Sequence, residues 1–153
     1  MIVPIRSLYE AHLTVRDLDR SIAFYRDVLG LPLAHVVEDR NVAFFWVPKP
    51  DTAMLVLWGV GSAPMSMRLH IAFSTSLEDV ENSVGALKAA GLTPTKNGQD
   101  PIDEPVVLGW MPAASVYFAD PDGHSLEFIA MLPDAPRPGR SFIPLSEWRA
   151  ASA

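Results

Sequence analysis

The stretch Ser115-Val-Tyr-Phe-Ala-Asp-Pro-Asp-Gly-His-Ser-Leu-Glu-Phe128 decides the reading of this chain. Its centre, Asp120-Pro-Asp-Gly123, is strong turn chemistry, because proline presets one turn dihedral and glycine tolerates the left-handed one. The flanking runs, Ser115–Ala119 and Ser125–Met131, therefore read as a hairpin. Period-2 alternation places Glu127 on one face with Ser125 and Ile129, opposite Leu126 and Phe128, which pack under helices. Glu127 thus aims a carboxylate into a cavity rather than the core. His124 belongs to the turn and is expected to cap or orient the hairpin.

Working outward, the chain repeats a strand–helix–three-strand order. In the first half, Leu8–Val15 alternates, with Ala11, Leu13 and Val15 on one face and Glu10, His12 and Thr14 on the other. Asp17 is placed to cap a helix that Gly30 ends, with Ile22, Tyr25, Val28 and Leu29 as its apolar stripe. Leu33–Glu38, Val42–Val47 and Met54–Trp58 read as strands. In the second half, Met67–Ser74 alternates with Arg68, His70, Ala72 and Ser74 on one face. Ser76 and Asp79 open a helix striped by Val80, Val84 and Leu87 and ended by Gly91. Thr93–Lys96 is a weak strand, and 97–114, rich in glycine and proline, is expected to be a long binding loop or lid carrying Trp110. Gly59–Ser66 reads as the linker between halves. Beyond Leu132 the chain is proline-rich, with Phe142, Leu145 and Trp148 expected to pin the tail to the body or to a partner.

Composition narrows the function. The 153 residues carry 49% apolar and 20% charged side chains, ordinary for one compact globular domain. A net charge of −6 without a Lys/Arg cluster argues against nucleic acid. No apolar run is long enough to span a bilayer, and the first residues lack the pattern of a signal peptide, so a cytoplasmic location is expected. Cysteine is absent, which leaves nitrogen and oxygen ligands for any metal, and there are only four histidines. His12, His70 and Glu127 are the candidate set: two imidazoles and one carboxylate hold a divalent cation and leave positions open for substrate.

These motifs resemble the vicinal oxygen chelate superfamily of glyoxalases, extradiol dioxygenases, fosfomycin-resistance enzymes and bleomycin-binding proteins. The resemblance is carried by Ala11-His-Leu-Thr-Val15, Asp17-Leu-Asp-Arg-Ser-Ile-Ala-Phe-Tyr-Arg-Asp-Val-Leu-Gly-Leu31, Leu69-His-Ile-Ala-Phe73 and Tyr117-Phe-Ala-Asp-Pro-Asp-Gly-His-Ser-Leu-Glu127. It implies an α+β fold of two βαβββ modules, each a curled half-barrel sheet with helices outside. Module one covers about 8–58, module two about 67–131, and a tail 132–153, in a single domain. It implies iron, manganese, zinc, nickel or cobalt on His12, His70 and Glu127, acting as a Lewis acid on a small substrate that chelates through vicinal oxygens. Small relatives form homodimers, often building each site from strands of two chains. Aligning Met54–Trp58 on Ser125–Ile129 puts Val56 where glyoxalase I relatives carry a fourth ligand, which argues against that activity.

Around this set, Tyr117 and Glu10 are candidates for proton transfer, and Thr14, Arg68 and Trp110 for substrate contact. Each has an ordinary reading too: Glu10 as an exposed strand-end charge, Arg68 as a solvated rim cation, Thr14 and Tyr117 as common strand residues. Phe44, Trp46 and Trp58 fit an aromatic pocket or a packed sheet equally, and His35 has no assigned facing. The competing function is a protein of bleomycin-resistance type that sequesters a drug or metabolite without catalysis.

Overall fold

The structure is a computed structural model that describes residues 7–59 and 67–151. The expected linker residues 60–66 and the N-terminal residues 1–6 lie outside that description. The chain packs as two compact units, 1–67 and 68–153.

Unit one runs β1 (Glu10–Val15), α1 (Leu18–Ala23), β2 (Leu33–Val37), β3 (Val42–Val47) and β4 (Ala53–Gly59). Its sheet has the order β1-β4-β3-β2, with β1 parallel to β4 and the other pairs antiparallel. Asp17 caps α1 through its carboxylate, which accepts the Arg20 N–H at 3.0 Å, and Gly30 takes φ +70° past the helix end. Between them the helix widens into a π-helical turn over Phe24–Val28. That extra residue rotates the stripe. Leu18, Phe24 and Tyr25 are buried, while Val28, expected inside, is 46% exposed. The core lies between this helix and the sheet face bearing Leu13, Val15, Phe45, Leu55 and Leu57, all buried.

Unit two repeats the order with β5 (His70–Ser74), α2 (Leu77–Ala89), β6 (Thr95–Lys96), β7 (Asp100–Pro101), β8 (Val106–Leu108), β9 (Ala113–Ala119), β10 (Ser125–Met131), β11 (Ser141–Pro144) and α3 (Leu145–Ala150). β5 lies parallel to β10, and β10 antiparallel to β9, which β6 also meets through Thr95 and Tyr117. The βαβββ repeat is therefore present in both units, each an open mixed sheet, as expected. Ser76 caps α2, and Val80, Val84 and Leu87 are its buried face.

The expectation of a loop over 97–114 is corrected. Val106, Val107 and Leu108 form a buried strand, and β9 begins at Ala113. Between β8 and β9, residues 109–112 form a turn that carries Trp110, 60% exposed. β8 pairs with β9 on one side and with β11 from the tail on the other. The tail is pinned to its own unit by Leu145 and Trp148, both buried. Among the described residues no helix is long and apolar enough to cross a membrane.

Candidate metal centre

In unit two the parallel register sets His70 opposite Ser125 and Ala72 opposite Glu127, while the antiparallel pair sets Tyr117 opposite Glu127. All these side chains share one face by strand alternation. His70 Nε2 lies 3.1 Å from Glu127 Oε2. Its other nitrogen, Nδ1, lies 3.0 Å from the Ser125 carbonyl oxygen and 3.2 Å from the Ser125 hydroxyl. The Glu127 carboxylate only accepts, so a proton on Nε2 makes the His70–Glu127 contact a hydrogen bond. Glu127 is 3% exposed, and its second oxygen, Oε1, is buried with no hydrogen-bond partner. Such a group costs about 1–3 kcal/mol unless something positive completes it.

The hairpin turn holds this arrangement in register. Asp120 Oδ1 accepts the backbone N–H groups of Asp122 at 2.9 Å and His124 at 2.8 Å, with Gly123 at φ +87°. His124, buried, accepts the Leu69 N–H at 3.1 Å through Nδ1, which ties the turn to the residue before His70. The expected orienting role of His124 is thus what its contacts perform.

Tyr117 stacks beside His70, ring centroids 5.8 Å apart. Burial pushes its phenol above the ordinary tyrosine range, and the neighbouring Glu127 carboxylate pushes it the same way, against a smaller opposing hydrogen bond from Ser115. Near neutrality it is a proton holder and donor, not a base. Because the folded pKa is raised, stability is complete below the unfolded tyrosine value of about 10 and is lost as pH climbs past it toward the folded value. Alkaline titration of chelator-treated protein, followed by ultraviolet difference spectra, is expected to show one of the three tyrosines ionising late. Tyr117→Phe should remove that late step, and its persistence would assign the shift elsewhere.

Arg68 and His70 line a cavity of about 540 Å³ in unit two, together with Thr95, Gln99, Phe118 and Ser125. Trp110 is not among its lining residues.

In unit one Glu10, His12 and Thr14 are exposed on one face of β1, while Leu13 and Val15 face the core. His12 is engaged at both ring nitrogens. Trp58 Nε1–H donates to Nδ1 at 2.8 Å, which makes Nε2 the protonated nitrogen in the neutral ring, and Nε2 lies 3.0 Å from Glu10 Oε2. The Trp58 ring also stacks on His12, and the Arg40 guanidinium sits over Trp58 at 4.9 Å. Val56, fully buried, pairs with His12 across β1 and β4, and Thr14 pairs with Trp58. Phe44, Trp46 and Trp58 are half-buried on the face away from α1, and His35 is exposed.

The structure places His70 beside Glu127 and Tyr117, and Glu10 beside His12. Among the described residues no three histidine or carboxylate side chains converge. Sequence reasoning had set His12 with His70 and Glu127. It missed the Ser125 carbonyl that orients His70 and the Trp58 indole that occupies His12. The signal for Trp58 was its parity with Val56 on β4.

Two βαβββ sheets, the second carrying an imidazole–carboxylate pair beside a phenol, define a chain of the paired-module glyoxalase type. The family model of the Glyoxalase/Bleomycin resistance protein/Dioxygenase superfamily matches residues 7–128, and the chain belongs to that superfamily. It is 33% identical over 126 residues to a lactoylglutathione lyase of Haemophilus influenzae, covering 76% of this chain and 87% of the lyase. It is 31% identical over 128 residues to the glutathione transferase FosA of Serratia marcescens, covering 80% and 79%. Among solved structures, an integron cassette protein from the mobile metagenome of the Halifax Harbour sewage outfall superimposes with a TM-score of 0.69. That protein is 31% identical, and the match covers 83% of this chain and all of the other.

Proposed function

We propose that the chain is a divalent-metal-dependent enzyme acting on a small substrate that chelates the metal through two adjacent oxygens. One observation carries this reading: the buried Glu127 carboxylate, whose Oε1 has no partner and whose Oε2 lies 3.1 Å from His70 Nε2. A cation would take the place of the proton between them, with the Nδ1–H of His70 given to the Ser125 carbonyl, as a ligating imidazole commonly gives its other N–H. His70 and Glu127 would hold the metal. A bound divalent ion supplies Lewis acidity to substrate oxygens.

The chain's own groups do the rest. Tyr117 keeps a proton next to the site and donates a hydrogen bond to an oxygen bound there. Arg68, lining the cavity with His70, offers its guanidinium to an anionic substrate group. Val56 at the fourth-ligand position leaves no base there, which argues against carrying lactoylglutathione lyase activity over from the relative. The reading includes the homodimer that the family resemblance implies.

A second reading, a non-catalytic sequestering protein, is supported by the half-buried Phe44, Trp46 and Trp58 on the face of sheet one away from its helix. Elemental analysis of protein purified without chelator separates the two. Near-stoichiometric divalent metal, lost in His70→Ala, is the expected result. No metal in either protein, and none taken up on reconstitution, sinks the enzyme reading.

A further inference from the structure

The tail strand β11 carries one residue that its ladder does not use. β11 and β8 slip register between Ser141 and Ile143, so Phe142 is the extra residue of a bulge. Its backbone is left-handed, at φ +56°, where a bulky side chain is a genuine outlier. Glycine is the ordinary occupant of such a position, because it has no Cβ to crowd the backbone. The strain persists because both flanks are tied down. Before it, Arg137 N–H donates to the Gly109 carbonyl at 2.6 Å, and Arg140 N–H to the Arg137 carbonyl at 2.9 Å. After it, Leu145 N–H donates to the Pro105 carbonyl at 2.9 Å, and Leu145 and Trp148 are buried.

A bulge re-aims a side chain, and here the aim is visible. The sheet of unit two has the order β11-β8-β9-β10-β5, with Tyr117 on its central strand. Phe142 on β11 and His70 on β5 each start two strands away, about 10 Å at the ordinary strand spacing. Both nonetheless reach the phenol. The ring centroids lie 5.8 Å apart for His70 and 6.2 Å for Phe142, the latter pair tilted by 56°. Both separations are those of favourable aromatic pairs. Tyr117 is therefore held between an imidazole from one side of the sheet and a phenyl ring from the other. Phe142 lies beyond residue 128, where the segment matched to the superfamily ends.

We propose that Phe142 is a positioning residue: its ring covers the Tyr117 phenol from the β8 side, fixes it beside His70 and keeps water off it. Tail and site are then one unit, and the strain at Phe142 is kept for where its side chain lies. This rests on the reading of Tyr117 as a hydrogen-bond donor to a bound oxygen. It adds that the tail sets the direction of that donor.

The test is nitration of the full-length, chelator-treated protein with tetranitromethane, mapped residue by residue by peptide mass spectrometry. The three tyrosines supply their own references, since Tyr9 is 49% exposed, Tyr25 is 0% and Tyr117 is 8%. In the parent, Tyr9 is expected to react while Tyr25 and Tyr117 stay protected. Phe142→Gly removes the ring and suits the left-handed backbone, so the bulge is expected to keep its place. In that variant the reactivity of Tyr117 is expected to rise toward that of Tyr9, with Tyr25 still protected. Phe142→Leu, which restores apolar cover, is expected to bring the protection back. Tyr117 reacting like Tyr9 in the parent, or staying as protected in Phe142→Gly as in the parent, overturns the proposal. A rise at Tyr117 and Tyr25 together overturns it too, because the ring would then hold the fold rather than the phenol. None of these outcomes depends on metal, so failure here leaves the metal reading standing. A parent that takes up no metal overturns that reading and leaves the nitration result untouched.

Discussion

Glu127→Gln is expected to make the metal-free protein more stable and the metal-loaded protein less so than the parent. In the parent the buried carboxylate has one oxygen without a partner and the other 3.1 Å from His70 Nε2. Glutamine has the same shape and no charge, and its amide oxygen still accepts from His70. Removing the unsatisfied charge should return about 1–3 kcal/mol in chelator-treated protein. Metal reverses the order. A ligand binding only the folded parent adds about 2.7 kcal/mol at a hundredfold excess over Kd, and the variant, stripped of a charged donor, gains none of it. Paired thermal melts with chelator and with Mn²⁺ read this crossing directly. If the variant is less stable in both conditions, Glu127 has a structural role and the metal reading loses its main support.

That crossing matters because it separates a group kept for function from one kept for folding. Buried carboxylate oxygens without partners are rare, and each calls for an explanation. The cluster is also braced from behind. Asp120 and His124 lock the turn, and His124 fixes the strand that presents His70.

The face of each strand was legible in the sequence, and its row was not. Alternation places His12, His70 and Glu127 on the faces opposite Leu13, Ile71 and Leu126 because the side-chain period is two. A shift of two residues leaves every face unchanged, so Glu10 and His12 are equivalent to any pattern reading. The strand register distinguishes them, with Glu10 opposite Met54 and His12 opposite Val56. The capping residues Asp17 and Ser76 were readable because caps act locally. The strand Val106–Leu108 was hidden for the opposite reason. Its outer partner is β11, more than thirty residues away in sequence, and the glycine and prolines around it imitate a loop. Gly109 is there because its backbone packs against the carbonyls of Arg137 and Arg140, where a side chain has no room.

Trp148→Ala is expected to give the largest loss of stability in unit two, with metal present or absent. Trp148 is 1% exposed, and Arg137 lies over its ring at 4.3 Å. Truncating a buried tryptophan typically costs about 3–5 kcal/mol, because the cavity left behind only partly collapses. The helix carrying it is short, six residues, and owes its place to tertiary contacts rather than to its own propensity. Glu104 accepts from the Ser146 N–H and hydroxyl at 2.9 and 2.8 Å, and Leu145 N–H donates to the Pro105 carbonyl, so the first turn is held by the segment leading into β8. Arg149→Ala is the control. Its bidentate pair with Glu81 is exposed, and such pairs contribute about 0–1 kcal/mol. Urea unfolding should show the midpoint of Trp148→Ala falling sharply with an unchanged slope, the sign of lost stability without a changed denatured state. The loss should be equal in chelator and in Mn²⁺, because Trp148 touches none of the proposed ligands. A loss confined to the metal-loaded form would mean instead that the tail reaches the metal centre through β8 and β9.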